Sequence, residues 1–192
     1  MGREYRAIDP DYPYHAGSRG NNRGPLVLDR IDCQIYVQEL DRVATKFEWK
    51  VLSWCLMPNH DHVILRTTQA AFSGGFQQLH GNHSRRTNLL HDRRDHTFRN
   101  RPWAHALVSE AHLVASLLYV ARNPLAAGLV RDAAAWPYGS YRALMGLEPA
   151  PRWLAVDEVL RLFGRDMDEA RRMFRLIVHG GHLLVSDTGV AA

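Results

Sequence analysis

Cysteine is scarce in this chain of 192 residues. Cys33 and Cys55 are the two it has, each flanked by apolar residues and neither in a CxxC arrangement. That excludes a disulfide framework and a thiolate metal cluster, and reads as two buried, reduced thiols. Long apolar runs are missing too. Nothing approaches the ~20 residues that span a bilayer, and the opening Met1-Gly2-Arg3-Glu4-Tyr5-Arg6 has no apolar signal core. A cytoplasmic protein with no membrane partner is expected. Lysine is nearly absent, Lys46 and Lys50 being the lysines among 24 basic residues. No internal repeat or long low-complexity stretch is present, which leaves solenoids and arrays aside.

The chain does have arginine and a sizeable apolar fraction. Net charge is +4, pI is near 9.3, and 46% of residues are hydrophobic, enough for one well-cored domain with a small appendage. Arginine binds phosphate bidentately and stacks on bases, so nucleic acid is a reasonable partner. Local clustering strengthens this. Arg85, Arg86, Arg93, Arg94, Arg99 and Arg101 face only Asp92 and Asp95 between His83 and Arg101, a basic helix end and loop able to follow a phosphate backbone.

The periodicities give a compact α+β order. Tyr12 to Gly20 alternates and runs into the turn cluster Arg19-Gly20-Asn21-Asn22, a first strand. After Asp32, Ile35, Tyr36, Leu40, Val43, Ala44 and Phe47 fall at helical spacing. Trp49 to Leu56 is rich in strand formers, Pro58-Asn59 turns the chain, and His60 to Thr67 returns as the second strand of a hairpin. A helix over about 70–90, a short strand around 104–108 and a third helix capped by Ser109 follow. Beyond Val130, Trp136 to Tyr141 reads as a clamp on the core or a base-stacking segment. Two short amphipathic helices over 155–163 and 167–178 then carry Arg161, Arg165, Arg171, Arg172 and Arg175 outward, and a loose tail runs from 180. The expected division is a main domain over 1–145 and a helical extension over 146–192.

Two features carry chemistry. His60 and His62 alternate along a strand, so both imidazoles point from one face toward one place, where they can chelate a metal ion. Two histidines that merely bond to backbone are the plain alternative. Tyr119 and Asn123 stand four apart on the third helix, in a polar stripe with His112 and Ser116. Pro124 disfavours helical geometry at Asn123, so the helix is expected to stop there with the amide at an exposed end, as a ligand or as a cap. Two imidazoles, an amide oxygen and a phenol suit metal-assisted attack by tyrosine on a phosphodiester. A phenol is a weak nucleophile near neutrality and needs the metal field or a base, and the sequence names no base.

Four blocks together resemble the REP-associated branch of the IS200-like single-tyrosine HUH transposases. They are His15 with Ser18-Arg19-Gly20-Asn21, Leu56-Met57-Pro58-Asn59-His60-Asp61-His62, Tyr119-Val120-Ala121-Arg122-Asn123-Pro124-Leu125-Ala126-Ala127-Gly128-Leu129-Val130, and Trp136-Pro137-Tyr138-Gly139-Ser140-Tyr141. The resemblance covers most of residues 12–145. It implies an RRM-like or ferredoxin-like antiparallel sheet with helices packed on one face. It also implies Tyr119 as nucleophile and His60, His62 and Asn123 as ligands of Mg²⁺ or Mn²⁺. The implied partner is single-stranded or hairpin DNA, cut through a 5′-phosphotyrosine by a monomer or homodimer, with Arg19 and the arginine cluster on the DNA.

One position departs from that pattern. The residue between the two histidines is usually bulky and apolar in HUH proteins, because it points into the core; here it is Asp61. A buried carboxylate needs a partner. The readings are an arginine partner near the strand start, or a copy that keeps the fold and binds DNA without cutting. A phosphodiesterase using water in place of tyrosine is a further function class.

Overall fold

The computed structural model describes residues 8–94 and 96–180. Four strands, β1 (Tyr14–Arg19), β2 (Lys50–Leu56), β3 (His60–Arg66) and β4 (Trp103–Ala106), form one antiparallel sheet in the order β2-β3-β1-β4. Helices α1 (Arg30–Lys46) and α2 (Gln69–Leu90) sit between β1 and β2 and between β3 and β4. The βαββαβ order with central β1 and β3 is the expected ferredoxin-like arrangement.

Alternation along β3 sorts the chemistry from the core. Val63 and Leu65 join Ala16 of β1 and the apolar sides of α1 and α2, with Tyr36, Leu40, Phe72, Phe76 and Leu79 fully or nearly fully buried. His60, His62 and Ile64 take the other face. Asp29 caps α1 by accepting from the N–H groups of Ile31 and Asp32, and Thr68 caps α2 through Ala71 N–H.

The expectation of helices on one face describes α1 and α2, and the opposite face is covered as well, at its β2–β3 end. Lys50–Leu56 is apolar on both sides of the strand, and Leu52, Cys55 and Ile64 pack under α3 (Glu110–Ala126). Helices α4 (Tyr141–Leu144), α5 (Val156–Leu160) and α6 (Met167–Val178) complete that layer through Leu144, Val159, Leu160, Phe174 and Ile177. Residues of α5 and α6 therefore share a core with α3. The Arg122 guanidinium also donates to the carbonyls of Ile177 and Val178 at the end of α6, bracing the helix that carries Tyr119. The β1–β4 end of this face has no such helix layer above it among the described residues.

Helix α3 corrects one expectation. It does not stop at Asn123; Pro124 lies inside it and the helix runs to Ala126. The closing bonds come from beyond the proline, Ala127 N–H to Asn123 C=O and Leu129 N–H to Pro124 C=O, with Gly128 at φ 67° taking the left-handed turn. Proline there forfeits one hydrogen bond near the helix end, where tertiary packing of Leu117, Leu118, Val120 and Ala121 holds the geometry. Asn123 is accordingly buried rather than exposed.

The Trp136–Tyr141 segment is a clamp. Trp136 Nε1 donates to Leu56 C=O, Leu56 N–H to Tyr138 C=O, and Trp54 N–H to Ser140 Oγ, covering the outer edge of β2. The two cysteines are free and buried, and burial raises Cys33 to about 11 and Cys55 to about 12, as inert thiols require. No helix among the described residues is long and apolar enough to cross a membrane. The expected loose tail over 181–192 lies outside the described residues.

Candidate active site

On the face that β1 and β3 share, cross-strand pairing sets His60 opposite Arg19 and His62 opposite Gly17. Gly17 is also opposite Trp103 of β4. A Cβ at Gly17 would lie 2.5 Å from the Trp103 ring and would also clash with the Asp61 carbonyl oxygen, so the missing side chain is what admits the indole beside the histidines. From above, α3 presents Tyr119 and Asn123. Ring centroids place Tyr119 5.3 Å from His62 and 5.9 Å from His15, and His60 4.9 Å from His62. Asn123 Oδ1 lies 3.1 Å from His60 Nε2. Tyr119, His60, His62 and Asn123, read far apart in the chain, thus converge on one spot. Tyr119 is 54% exposed there while His62 is 5% exposed, so the phenol is open to a large ligand and the imidazole is not.

The histidines are held neutral. Burial first, then the neighbouring His15 and His60, lowers His62 to about 3. Burial also lowers His60, against the bond with Asn123, which raises it. A neutral imidazole has one N–H, yet both nitrogens of His60 face amide oxygens: Nδ1 lies 2.7 Å from Asn59 Oδ1 and Nε2 3.1 Å from Asn123 Oδ1. With Nδ1–H donated to Asn59, the lone pairs of His60 Nε2 and Asn123 Oδ1 face each other, an arrangement that a cation relieves. His62 Nε2 is buried with no hydrogen-bond partner among the described residues, an uncompensated atom unless it has a ligand. Two imidazole nitrogens and an amide oxygen therefore fit a divalent cation, with nitrogen donors favouring Mn²⁺ over Mg²⁺.

Asp61 points the other way. It is 1% exposed and accepts from Ser18 N–H and, at 2.6 Å, from the Tyr36 hydroxyl, with His80 Nε2 at 3.6 Å. Burial pushes its carboxyl up, but the bonds from His80, Tyr36 and Ser18 outweigh burial and hold it below the ordinary value. The arginine partner of one reading is absent among the described residues; a phenol, a backbone amide and an imidazole take its place.

The arginines divide. Arg19 lies exposed beside His60. Arg85, Arg94 and Arg101 line a groove of about 920 Å³ between α2 and the 96–102 segment, together with His80 and Phe98, whose rings stack at 3.9 Å. Arg86 turns away to Glu39 and Gln38 on α1. Arg93 is half-buried and Arg99 exposed, its N–H bonded to the Arg19 carbonyl. A second group of ligand-type atoms, from Asp29, Asp32 and His91, lies at the start of α1. Its atoms are already used, Asp29 as the helix cap and Asp32 by Leu28 N–H and His91.

The profile of the family described as Transposase IS200 like matches residues 11–117. The chain belongs to the IS200-like transposase family. The match spans β1 through the first half of α3, includes both histidines of the pair, and ends before Tyr119 and Asn123. Among solved structures, a REP-associated tyrosine transposase bound to a REP hairpin superposes with a TM-score of 0.64 at 18% identity, covering 78% of this chain and 89% of that one. The tRNA(His) guanylyltransferase of Saccharomyces cerevisiae gives 0.49 at 9% identity, over 94% and 83%. No curated protein sequence matches the chain. The IS200-like resemblance drawn from the motifs is thus matched by the family profile, and the α+β sheet by the fold of the REP-associated enzyme.

Sequence reading missed Trp103, Tyr36 and His80 as neighbours or supports of the site. For Trp103 a signal existed: β1 alternation puts His15, Gly17 and Arg19 on one face, and a glycine opposite a histidine in a central strand marks a close approach. Tyr36 and His80 look like ordinary helix-face residues until the partner on β3 is known.

Proposed function

We propose that this IS200-like chain is a metal-dependent single-stranded DNA endonuclease and strand transferase that cuts beside hairpin DNA. The observation that carries the reading is the meeting of the exposed Tyr119 with His60, His62 and Asn123, where His62 Nε2 has no hydrogen-bond partner among the described residues. His60, His62 and Asn123 would hold Mg²⁺ or Mn²⁺, which when bound polarises a phosphate oxygen and offsets charge on the leaving oxygen. Tyr119 Oη attacks phosphorus and gives up its proton as the bond to the 3′ oxygen breaks. A free 3′-hydroxyl and a 5′-phosphotyrosine result. A 3′-hydroxyl later displaces the tyrosine, so the phosphodiester bond is conserved and no nucleoside triphosphate is needed.

Hairpin DNA as the partner is supported by the hairpin-bound relative and by the basic surface, in which Arg19 stands at the metal-ligand edge and Arg85, Arg94 and Arg101 line the α2 groove. The bonded state of Asp61 supports a working site over a relic, since the carboxylate is compensated and faces away from the histidines. Incubation with labelled single-stranded DNA carrying a hairpin and unpaired flanks, with Mn²⁺, followed by a denaturing gel, tests the reading. A covalent protein–DNA band is expected. Free ends without a band would assign the water-dependent phosphodiesterase, and binding without either product a non-catalytic protein.

A further inference from the structure

We infer that His15 is a positioning residue for the metal site: it accepts a hydrogen bond from His62 Nδ1–H and so fixes the tautomer that leaves the His62 Nε2 lone pair free for the cation. This rests on the metal-site reading above. The two rings meet at His15 Nε2 and His62 Nδ1, 3.0 Å apart, a distance that holds one hydrogen between two nitrogens. If His15 donated it, neutral His62 would carry its own hydrogen on Nε2, which is buried without an acceptor and would be an uncompensated donor. With His62 as donor, Nε2 is a bare lone pair, and only that form can bind a metal ion.

The surroundings fix the His15 ring in place. Its centroid is 4.8 Å from Trp103, edge to face, and 5.9 Å from Tyr119, and Trp103 is itself seated against the bare Cα of Gly17. Position 15 lies on the same face of β1 as Gly17 and Arg19, two residues from the strand partner of His62. Metal-ligating histidines depend on such an orienting partner at the second ring nitrogen. Asn59 stands in the same relation to His60 Nδ1.

Long-range ¹H–¹⁵N correlation spectra of metal-free protein read the tautomer directly, and Mn²⁺ calorimetry reads its consequence. Wild type is expected to show His62 protonated on Nδ1. His15→Phe keeps the ring but removes the acceptor, and is expected to move the proton to Nε2 and weaken Mn²⁺ binding about 10- to 100-fold. His15→Gln restores an acceptor oxygen and is expected to recover both. An Nε2-protonated His62 in wild type overturns the inference, and so does equal Mn²⁺ affinity in wild type and folded His15→Phe. A wild type with the expected tautomer that takes up no Mn²⁺ overturns the metal-site reading instead.

Discussion

The Tyr36 hydroxyl donates to Asp61 Oδ2 across 2.6 Å in the interior between β3 and α1, where both side chains are shut off from solvent. This pair explains how a carboxylate is tolerated between the two histidines at a buried position. Burial, and then Asp61 itself, raises the Tyr36 phenol well above its ordinary value, so the phenol stays a donor and the carboxylate stays ionised. The bond ties the strand bearing His60 and His62 to α1, and the His80 contact ties it to α2.

Asp61→Val should destabilise the fold by roughly 2–5 kcal/mol, because it strands the Tyr36 hydroxyl and the Ser18 N–H, while His80 keeps the Ser18 hydroxyl at 3.2 Å. Double replacement with Tyr36→Phe should cost less than the sum of the single changes, since the phenol stranded by the first change is removed by the second. Urea denaturation of the four proteins measures this. A Val variant as stable as wild type would mean that the network contributes nothing.

Tyr119→Phe should abolish the covalent product while leaving hairpin affinity within about threefold, since the ring stays and only an exposed hydroxyl is removed. A denaturing gel and a binding isotherm on the same DNA read the two effects separately. A persistent adduct in the Phe variant would move the nucleophile elsewhere.

The sheet, the packing of α1 and α2 on it and the meeting of His60, His62 and Tyr119 were legible because each rests on a short-range period. Alternation fixes the face of a strand residue and i, i+4 spacing fixes that of a helix residue. What was not legible depends on long-range pairing. Asn123 was expected at an exposed helix end because Pro124 opposes helix locally, and the packing of α3 on β2 overrides that preference. An arginine was one of the partners open to Asp61 because charge is the obvious complement, whereas Tyr36 and His80 reach it only through the docking of α1 and α2. Arg86 belonged to the basic cluster by sequence but is turned to Glu39 by its phase on α2.

That phase separates two kinds of arginine. Neutralising Arg85, Arg94 and Arg101 should weaken hairpin binding and flatten its salt dependence, by up to about one log–log unit for each phosphate that is no longer neutralised. Arg86→Gln should leave the salt slope unchanged and lower stability by about 1 kcal/mol, because the buried Glu39 carboxylate keeps Arg42 and Asn82 as partners. An equal change of slope in both variants would place the DNA path along α1 as well.

Removing a ligand should act on the metal before it acts on the fold. His60→Ala and Asn123→Ala are each expected to weaken Mn²⁺ binding at least about tenfold, because a site with three protein ligands cannot lose one cheaply. His60 Nε2 and Asn123 Oδ1 meet each other across 3.1 Å, so without metal either truncation removes at most one hydrogen bond and should shift the denaturation midpoint only slightly. Calorimetry and denaturation of the metal-free variants check both. Undiminished Mn²⁺ affinity in the His60 variant would place the ion elsewhere.

The metal-free protein should lose stability on mild acidification, in a window that the buried imidazoles set. Burial and neighbouring histidines hold His15 at about 4 and His62 at about 3 in the folded chain, below the 6.5 of an exposed imidazole. As pH falls through 6.5 the unfolded chain takes up protons that the folded chain refuses, so stability declines from there until about pH 4 to 3. Asp61 acts lower: its folded value lies below 3.8, so its contribution is present above that pH and fades only as pH falls through the folded value. The urea midpoint should therefore drop between pH 7 and 4.5, by on the order of a few kcal/mol in stability, before carboxylate protonation begins to matter. Replacing His62 with Gln removes one of the lowered imidazoles and should flatten that decline, and Mn²⁺ should steepen the wild-type profile because protons and metal compete for the same lone pair. A midpoint that stays level from pH 7 to 4.5 would mean that these imidazoles are hydrated and free to charge, which their burial beside Trp103 and Tyr119 opposes.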